Sequence, residues 1–315
     1  MYKRQVTYTL TDNIKSSAHG IVVERDNIII DGAGYTLEGT GECPFKGVDL
    51  SGRSNVTIKN TIITMFWCGI WLSYSSNNSI SKNTITKNSK IGIWLRGSSN
   101  YNSISGNNIT ENGCYGIWLS YSSNNSISKN TITKNNEFGI YLSHSSSNNI
   151  SGNTFFNDGL VVSESYGNIV VDNLVNNKPL IYLENVSNYA VKDAGQVILV
   201  NCSNILVKNL NLSYTDISVE LWGTNNSTVS GNNIANNYVG ILLSYSSNNK
   251  ISGNDITNNR YGILFFYYSS NNVIYHNDFV DNGHQVYSTD LINVWDDGYP
   301  SGGNYWSDYA GVDLY

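Results

Sequence analysis

Charge is scarce in this chain: of 315 residues only 13% are Asp, Glu, Lys or Arg, and the 18 bases are outnumbered by 24 acids for a net charge of -6. The bases form no run, so the sequence carries no electrostatic footprint for a phosphate backbone and nucleic acid is not an expected partner. Cysteine is nearly absent. Cys43, Cys68, Cys114 and Cys202 lie far apart with no CxxC pair, which argues against both a zinc site and a disulfide framework. There are 3 prolines and 2 methionines. No apolar run is long enough to span a bilayer, and no stretch shows helical amphipathicity. A signal-peptide pattern is also missing at the amino terminus. Met1–Gln5 match the translation of a sequencing-transposon end and the strand pattern follows at once, so the expectation is a fragment whose start has been lost.

What is abundant is Asn, Ser, Gly, Thr and Ile, so solubility rests on neutral polar side chains, as in a secreted or cell-surface protein. Asn-x-Ser/Thr triplets begin at Asn55, Asn77, Asn108, Asn124, Asn149, Asn185, Asn201, Asn211, Asn225 and Asn226. They would permit glycosylation of an exported chain, although this composition also produces such triplets by chance.

The abundance is ordered. The phrase Asn78-Ser-Ile-Ser-Lys-Asn-Thr-Ile-Thr-Lys-Asn88 returns at 102–112 and 125–135, a spacing of about 23 residues. A second phrase, Gly-Ile-x-Leu, keeps step at Gly69, Gly92, Gly116 and Gly139, weakens, and reappears at Gly240 and Gly262. Within both phrases apolar and polar residues alternate, the signature of strands with one buried face. A unit this short cannot bury its own face and must stack on its neighbours, which predicts an all-β, single-stranded parallel β-helix of about twelve coils, a rod ~60 Å long at ~4.8 Å per coil. One elongated domain is expected, with an N-terminal segment over 1–19, repeats over 20–290 that turn irregular near 158–220, and a closing motif over 291–315. The spacing contracts between Val170 and Asn209, the one internal boundary expected. One column recurs coil after coil: Asn60, Asn83, Asn107, Asn130, Asn153, Asn173, Asp193, Asn209, Asn232, Asn254 and Asn277. Amides stacked this way hydrogen-bond along the pile, so the Asn column is expected to be structural.

Two further motifs are more specific, Asn27-Ile-Ile-Ile-Asp31-Gly-Ala-Gly34 and the closing stretch Asn293-Val-Trp-Asp-Asp-Gly-Tyr-Pro-Ser-Gly-Gly-Asn-Tyr-Trp-Ser-Asp-Tyr-Ala-Gly-Val-Asp313. With them the chain resembles the NosD-type right-handed β-helix proteins, the carbohydrate-binding or sugar-hydrolase repeats of the pectin-lyase-like fold, found on archaeal surfaces. The resemblance implies a right-handed coil and export. It also implies that the chain originally ran on past Tyr315. The family name derives from a periplasmic factor for maturing a copper enzyme, which implies copper only where ligands exist.

Copper needs converging His, Cys or Met. His19, His144, His276 and His284 fall on different coils, so no metal or other cofactor is expected. Sugar cleavage needs acids on adjacent coils, yet between Ser51 and Asn157 only Glu111 and Glu137 occur, at different places in their repeats. Acids return as Asp158, Glu164, Asp172, Glu184, Asp193, Asp216 and Glu220, where solvated loop charge and a hidden active site are the competing readings. No catalytic residue is assigned. The closing segment carries Asp296, Asp297, Asn304, Asp308 and Asp313 but lacks the spacing of a calcium loop. With Trp295, Tyr299, Tyr305, Trp306 and Tyr309 it reads as an aromatic plug over the last coil.

One surface remains. The outward x of Gly-Ile-x-Leu is Trp71, Trp94, Trp118 and Tyr141 on four consecutive coils, with Tyr74, Tyr121, His144, Tyr245 and Tyr267 just beyond. Such a strip either binds carbohydrate or protein, or simply stabilises the coil edge. Three functions follow in order: a non-catalytic secreted or surface β-helix binding a polysaccharide, glycan or envelope protein along the strip; a polysaccharide lyase, hydrolase or epimerase using acids of 158–220; and an accessory factor in copper-enzyme maturation.

Overall fold

The computed structural model describes residues 5–288 and 292–311. It is all-β, with no helix among the described residues, and forms a right-handed parallel β-solenoid of about 13 turns. The coil is set by three short strands per turn. In one turn these are Ser79–Ser81, Thr84–Thr86 and Ile91–Arg96. Ile80 pairs with Ile58 and Ile104, Ile85 with Ile63 and Ile109, and Ile93 with Ile70 and Ile117, so identical side chains stack inward on every face. All of these isoleucines are fully buried. Removing each from water is worth ~2–3 kcal/mol, and this stacked apolar column is the main favourable term of the fold.

The corners follow one rule. At each corner a residue in the left-handed region precedes a side chain that turns inward: Tyr74 before Ser75, Asn77 before Asn78, Lys82 before Asn83 and Lys87 before Asn88. The inward amides form ladders. Asn83 Nδ2 donates to Asn107 Oδ1, Asn107 to Asn130, Asn130 to Asn153 and Asn153 to Asn173, each at 2.9–3.0 Å. A parallel ladder runs from Asn78 through Asn102, Asn125 and Asn148 to Asn168. A third runs from Asn88 through Asn112 and Asn135 and ends on Asp158. Serines fill the fourth corner. These groups satisfy corner backbone that the sheets cannot reach.

Register corrects the Asn column in three places. Ile58 lies opposite Ile80, so Thr61 rather than Asn60 stands beside Asn83, and its N–H donates to Asn83 Oδ1. Val207 opposite Val229 likewise puts Leu210, not Asn209, in line with Asn232. By the same count Ala194 replaces Asp193. Asn60 and Asn209 occupy the left-handed corner one residue earlier, a conformation Asn tolerates well, and this is why the pattern slipped.

The chain divides into two compact units, 1–176 and 177–315. In the second unit the column begins with Ala194 and Leu210, which cannot pass a hydrogen bond along the stack. In the first unit the faces begin earlier than Gly20. Val6–Thr9, Ile14–Lys15 and Ile21–Val22 already pair in parallel with the following coil, so described residues of the 1–19 segment belong to the solenoid. In the second unit the ladder resumes through Asn232, Asn254, Asn277 and Asn304. The closing segment extends the coil. Tyr305–Trp306 pairs with Asp278–Val280, Trp306 stacks on Phe279 at 4.5 Å, and Trp295 packs edge-on against Phe265. Tyr299, Tyr305 and Tyr309 are exposed, which leaves the two tryptophans as the apolar cover.

Candidate functional site

The third face of the first unit is set by its glycines. A Cβ on Gly92 would lie 2.5 Å from the carbonyl oxygen of Gly116, and Gly69 and Gly116 are as tightly held, so consecutive coils meet there backbone to backbone. With that glycine turned inward, two columns point outward around it. One is Cys68, Ile91, Tyr115 and Phe138; the other is Trp71, Trp94, Trp118 and Tyr141.

These four rings are not free platforms. Trp71 is only 9% exposed, and Trp94, Trp118 and Tyr141 are half-buried. Trp94 and Trp118 stack at 4.4 Å and 11°, Trp118 and Tyr141 lie 6.1 Å apart and near parallel, and Trp71 meets Trp94 edge-to-face at 4.6 Å. Trp67 leans on Trp71 and Trp94, and Tyr115 on Trp118 and Tyr141. Strand spacing forces rings in adjacent coils into contact, so each covers its neighbour's face. The expectation that the rings face solvent is thereby corrected. The indole Nε1 atoms of Trp71, Trp94 and Trp118 are buried with no hydrogen-bond partner, so Trp94 and Trp118 turn apolar edges outward.

Beyond the stack runs a column of Ser73, Arg96, Ser120 and Ser143, and then the left-handed corner Tyr74, Gly97, Tyr121 and His144. Here rings are open. Tyr74 is 75% exposed and Tyr121 60%. Gly97 leaves room for the Tyr74 ring, whose nearest carbon a Cβ there would meet at 3.0 Å. Tyr121 stacks on His144 at 4.6 Å, and His144 Nε2 is 2.8 Å from Glu164. Lys46 sits over Trp71 at 4.2 Å and is paired with Asp49 at 2.7 Å; Arg96 lies over both Trp71 and Trp94. Burial pushes Tyr115 well above its usual range, with the Glu137 charge adding to it. The second unit repeats the motif on a smaller scale, with Tyr245 stacked on Tyr267 at 5.3 Å.

The acids of the irregular coils are spread over several strands, with Asp216 and Glu220 together at Ile217–Trp222. Asp158 accepts from the backbone and side chain of Asn135, Glu164 pairs with His144, and Glu184 accepts from Tyr182 Oη at 2.7 Å. Asp172 is a left-handed corner residue, Asp193 is exposed, and Asp216 and Glu220 are buried. In the closing segment Asp296 accepts from Gly298 N–H and Asp297 from Ser301 Oγ. Asn304 belongs to the ladder, Asp308 is exposed, and Asp313 lies outside the described residues.

Short strands on three faces, stacked in register and locked by amide ladders, define a parallel β-helix. The chain belongs to the family described as periplasmic copper-binding protein (NosD), whose profile matches residues 3–163 and 157–311. No curated protein matches. Among solved structures the A-module of mannuronan C-5 epimerase AlgE6 from Azotobacter vinelandii is similar, with a TM-score of 0.52 and 14% identity over 93% of this chain and 90% of that one. The AlgE4 A-module of the same organism gives 0.47 and 14%, covering 92% and 90%. An alginate lyase from a Paenibacillus species gives 0.46 and 11%, covering 96% and 92%. At such identities the likeness is one of fold.

The family's description implies copper, and the donor set does not fit it. Among the described residues no three His, Cys, Asp or Glu side chains gather at one point. His19 Nδ1 accepts from Lys46 N–H, His276 bonds Ser301, and His284 stacks on Tyr261. Cys68 is fully buried against the tryptophans, and Met65 lies exposed at a corner.

Proposed function

We propose that this chain is an exported or surface β-helix that holds a polysaccharide along the third face of its first unit without turning it over. The observation that carries this reading is the aromatic surface itself. A rigid base of stacked indole edges is bordered by the open rings of Tyr74 and Tyr121 and by the hydroxyl column of Ser73, Ser120 and Ser143. Apolar ring faces receive the C–H faces of sugars while hydroxyls and Arg96 supply polar contacts, and rings fixed by packing lose little entropy on binding. The fold also serves a mannuronan epimerase, so its long regular faces are compatible with a polymeric ligand.

The test is a glycan-array screen of the chain beside Tyr74→Ala/Tyr121→Ala and Trp94→Ala/Trp118→Ala, with product analysis on each glycan retained. Binding lost in the tyrosine variant with no new reducing or unsaturated ends supports the proposal. Retention unchanged in both variants removes this face from the account. Cleavage or epimerisation would move attention to the buried acids Asp216 and Glu220, for which an Asn and a Gln exchange would then be made.

A further inference from the structure

We infer that Arg96 makes this face selective for polysaccharides that carry carboxylates. The inference rests on the polysaccharide reading above and adds the ligand class. Arg96 interrupts a column otherwise made of serine, with Ser73 and Ser120 as its neighbours in register. Its guanidinium lies 5.3 Å from the Trp71 ring centre and 5.4 Å from that of Trp94. The residue is exposed, and its guanidinium has neither an acid nor a hydrogen-bond partner among the described residues. The other cation over the stack, Lys46, is already neutralised by Asp49.

A guanidinium held against rings keeps its planar set of N–H donors for a ligand, and that fork matches a planar carboxylate with two parallel hydrogen bonds. The next residue is Gly97, and the Tyr74 ring lies over it, 3.0 Å from where a Cβ would stand, so this open ring sits directly beside the Arg96 coil. A charged sugar substituent can therefore reach Arg96 while its ring rests on a tyrosine. The wider field agrees: residues 51–157 contain eight Lys and Arg against Glu111 and Glu137 alone, in a chain whose net charge is -6. Nucleic acid, the other common polyanion, is disfavoured because bases need open ring faces in succession, and those of Trp94 and Trp118 are closed on each other.

Polygalacturonate and its methyl ester share a backbone and differ in charge, which makes them the probes, with dextran sulfate and a single-stranded oligonucleotide as competing polyanions. Titrations compare the wild type, Arg96→Gln, Arg96→Lys and Tyr74→Ala/Tyr121→Ala, after circular dichroism has verified the fold of each. Expected is a preference for the acid over the ester of about tenfold or more, loss of that preference in Arg96→Gln, and partial recovery in Arg96→Lys, which offers charge without the fork. Equal binding of acid and ester by wild type and Arg96→Gln, with both lost in the tyrosine variant, overturns the inference and leaves the polysaccharide reading standing. Binding of neither polymer by the wild type ends both. Tighter binding of dextran sulfate or the oligonucleotide than of polygalacturonate overturns the carboxylate assignment.

Discussion

Replacing Asn130 by alanine should cost more stability than any surface change on the same coil, and the ladder says how much. Asn130 Oδ1 accepts from both the backbone N–H and the side chain of Asn107, each at 2.9 Å. Its Nδ2 donates to Ile104 O and to Asn153 Oδ1, each at 3.0 Å. The residue is 1% exposed, so no water replaces what is removed. Four bonds at ~1 kcal/mol each, plus the penalty of leaving buried donors of Asn107 unpaired, give a loss of about 4–6 kcal/mol. Asn130→Asp is the sharper variant. It keeps the acceptor for Asn107 but turns lone pairs towards Ile104 O and Asn153 Oδ1, so burial and repulsion raise its pKa and the damage should ease as pH falls. Asp158 marks the permitted exception, standing where a ladder ends and an acceptor suffices. Urea unfolding followed by circular dichroism and by tryptophan fluorescence would read the loss, the second probe weighted towards the stack of Trp67, Trp71, Trp94 and Trp118 with Trp222, Trp295 and Trp306 contributing from the second unit, because a solenoid can unfold in parts. The exposed neighbour Thr131→Ala should change stability by no more than ~0.5 kcal/mol. A cost below ~1 kcal/mol for Asn130→Ala would refute the claim that the ladders hold the corners.

Other outcomes follow from the same contacts. Gly92→Ala forces a Cβ to within 2.5 Å of Gly116 O and 3.0 Å of Asn112 Nδ2, so a loss of about 3 kcal/mol is expected in the same unfolding assay. Lys129→Gly should be neutral or stabilising by up to ~1 kcal/mol, since Lys129 holds a φ of 56° at a corner where Gly106 and Gly152 stand in adjacent coils. Thiol labelling of the native protein should reach exposed Cys43 first and Cys114 slowly, its thiol being pushed up by burial and by Glu137, while Cys68 and Cys202 should react only after unfolding. Asp31 is held below the usual carboxylate range by Asn60 Nδ2 and Ala33 N–H. Its contribution is therefore complete above the ordinary carboxylate pKa and lost as pH falls through its own lower value, so between ~pH 5 and ~pH 2 Asp31→Asn should show a flatter loss of stability.

By itself the sequence determined the coil. A pattern repeated every 23 residues or so leaves no other way to bury Ile80, Ile85 and Ile93 than to stack them on their own copies; that Asn304 continues the ladder beyond Asn277 only the structure decided. Register was less legible. Asn60 and Asn209 carry the residue type of the column yet sit at the corner before it, and only the pairing of Ile58 with Ile80 and Val207 with Val229 separates the two places. The aromatic face was legible as a set of residues and not as a surface. Alternation says that Trp94 and Trp118 leave the core; whether they then offer their faces to a ligand or to each other depends on contacts between coils. Strand spacing closes those faces and passes the open-ring role to Tyr74 and Tyr121. The value of Arg96 was likewise hidden, because an isolated arginine in a sequence has no orientation until Trp71 and Trp94, on two different coils, hold it flat.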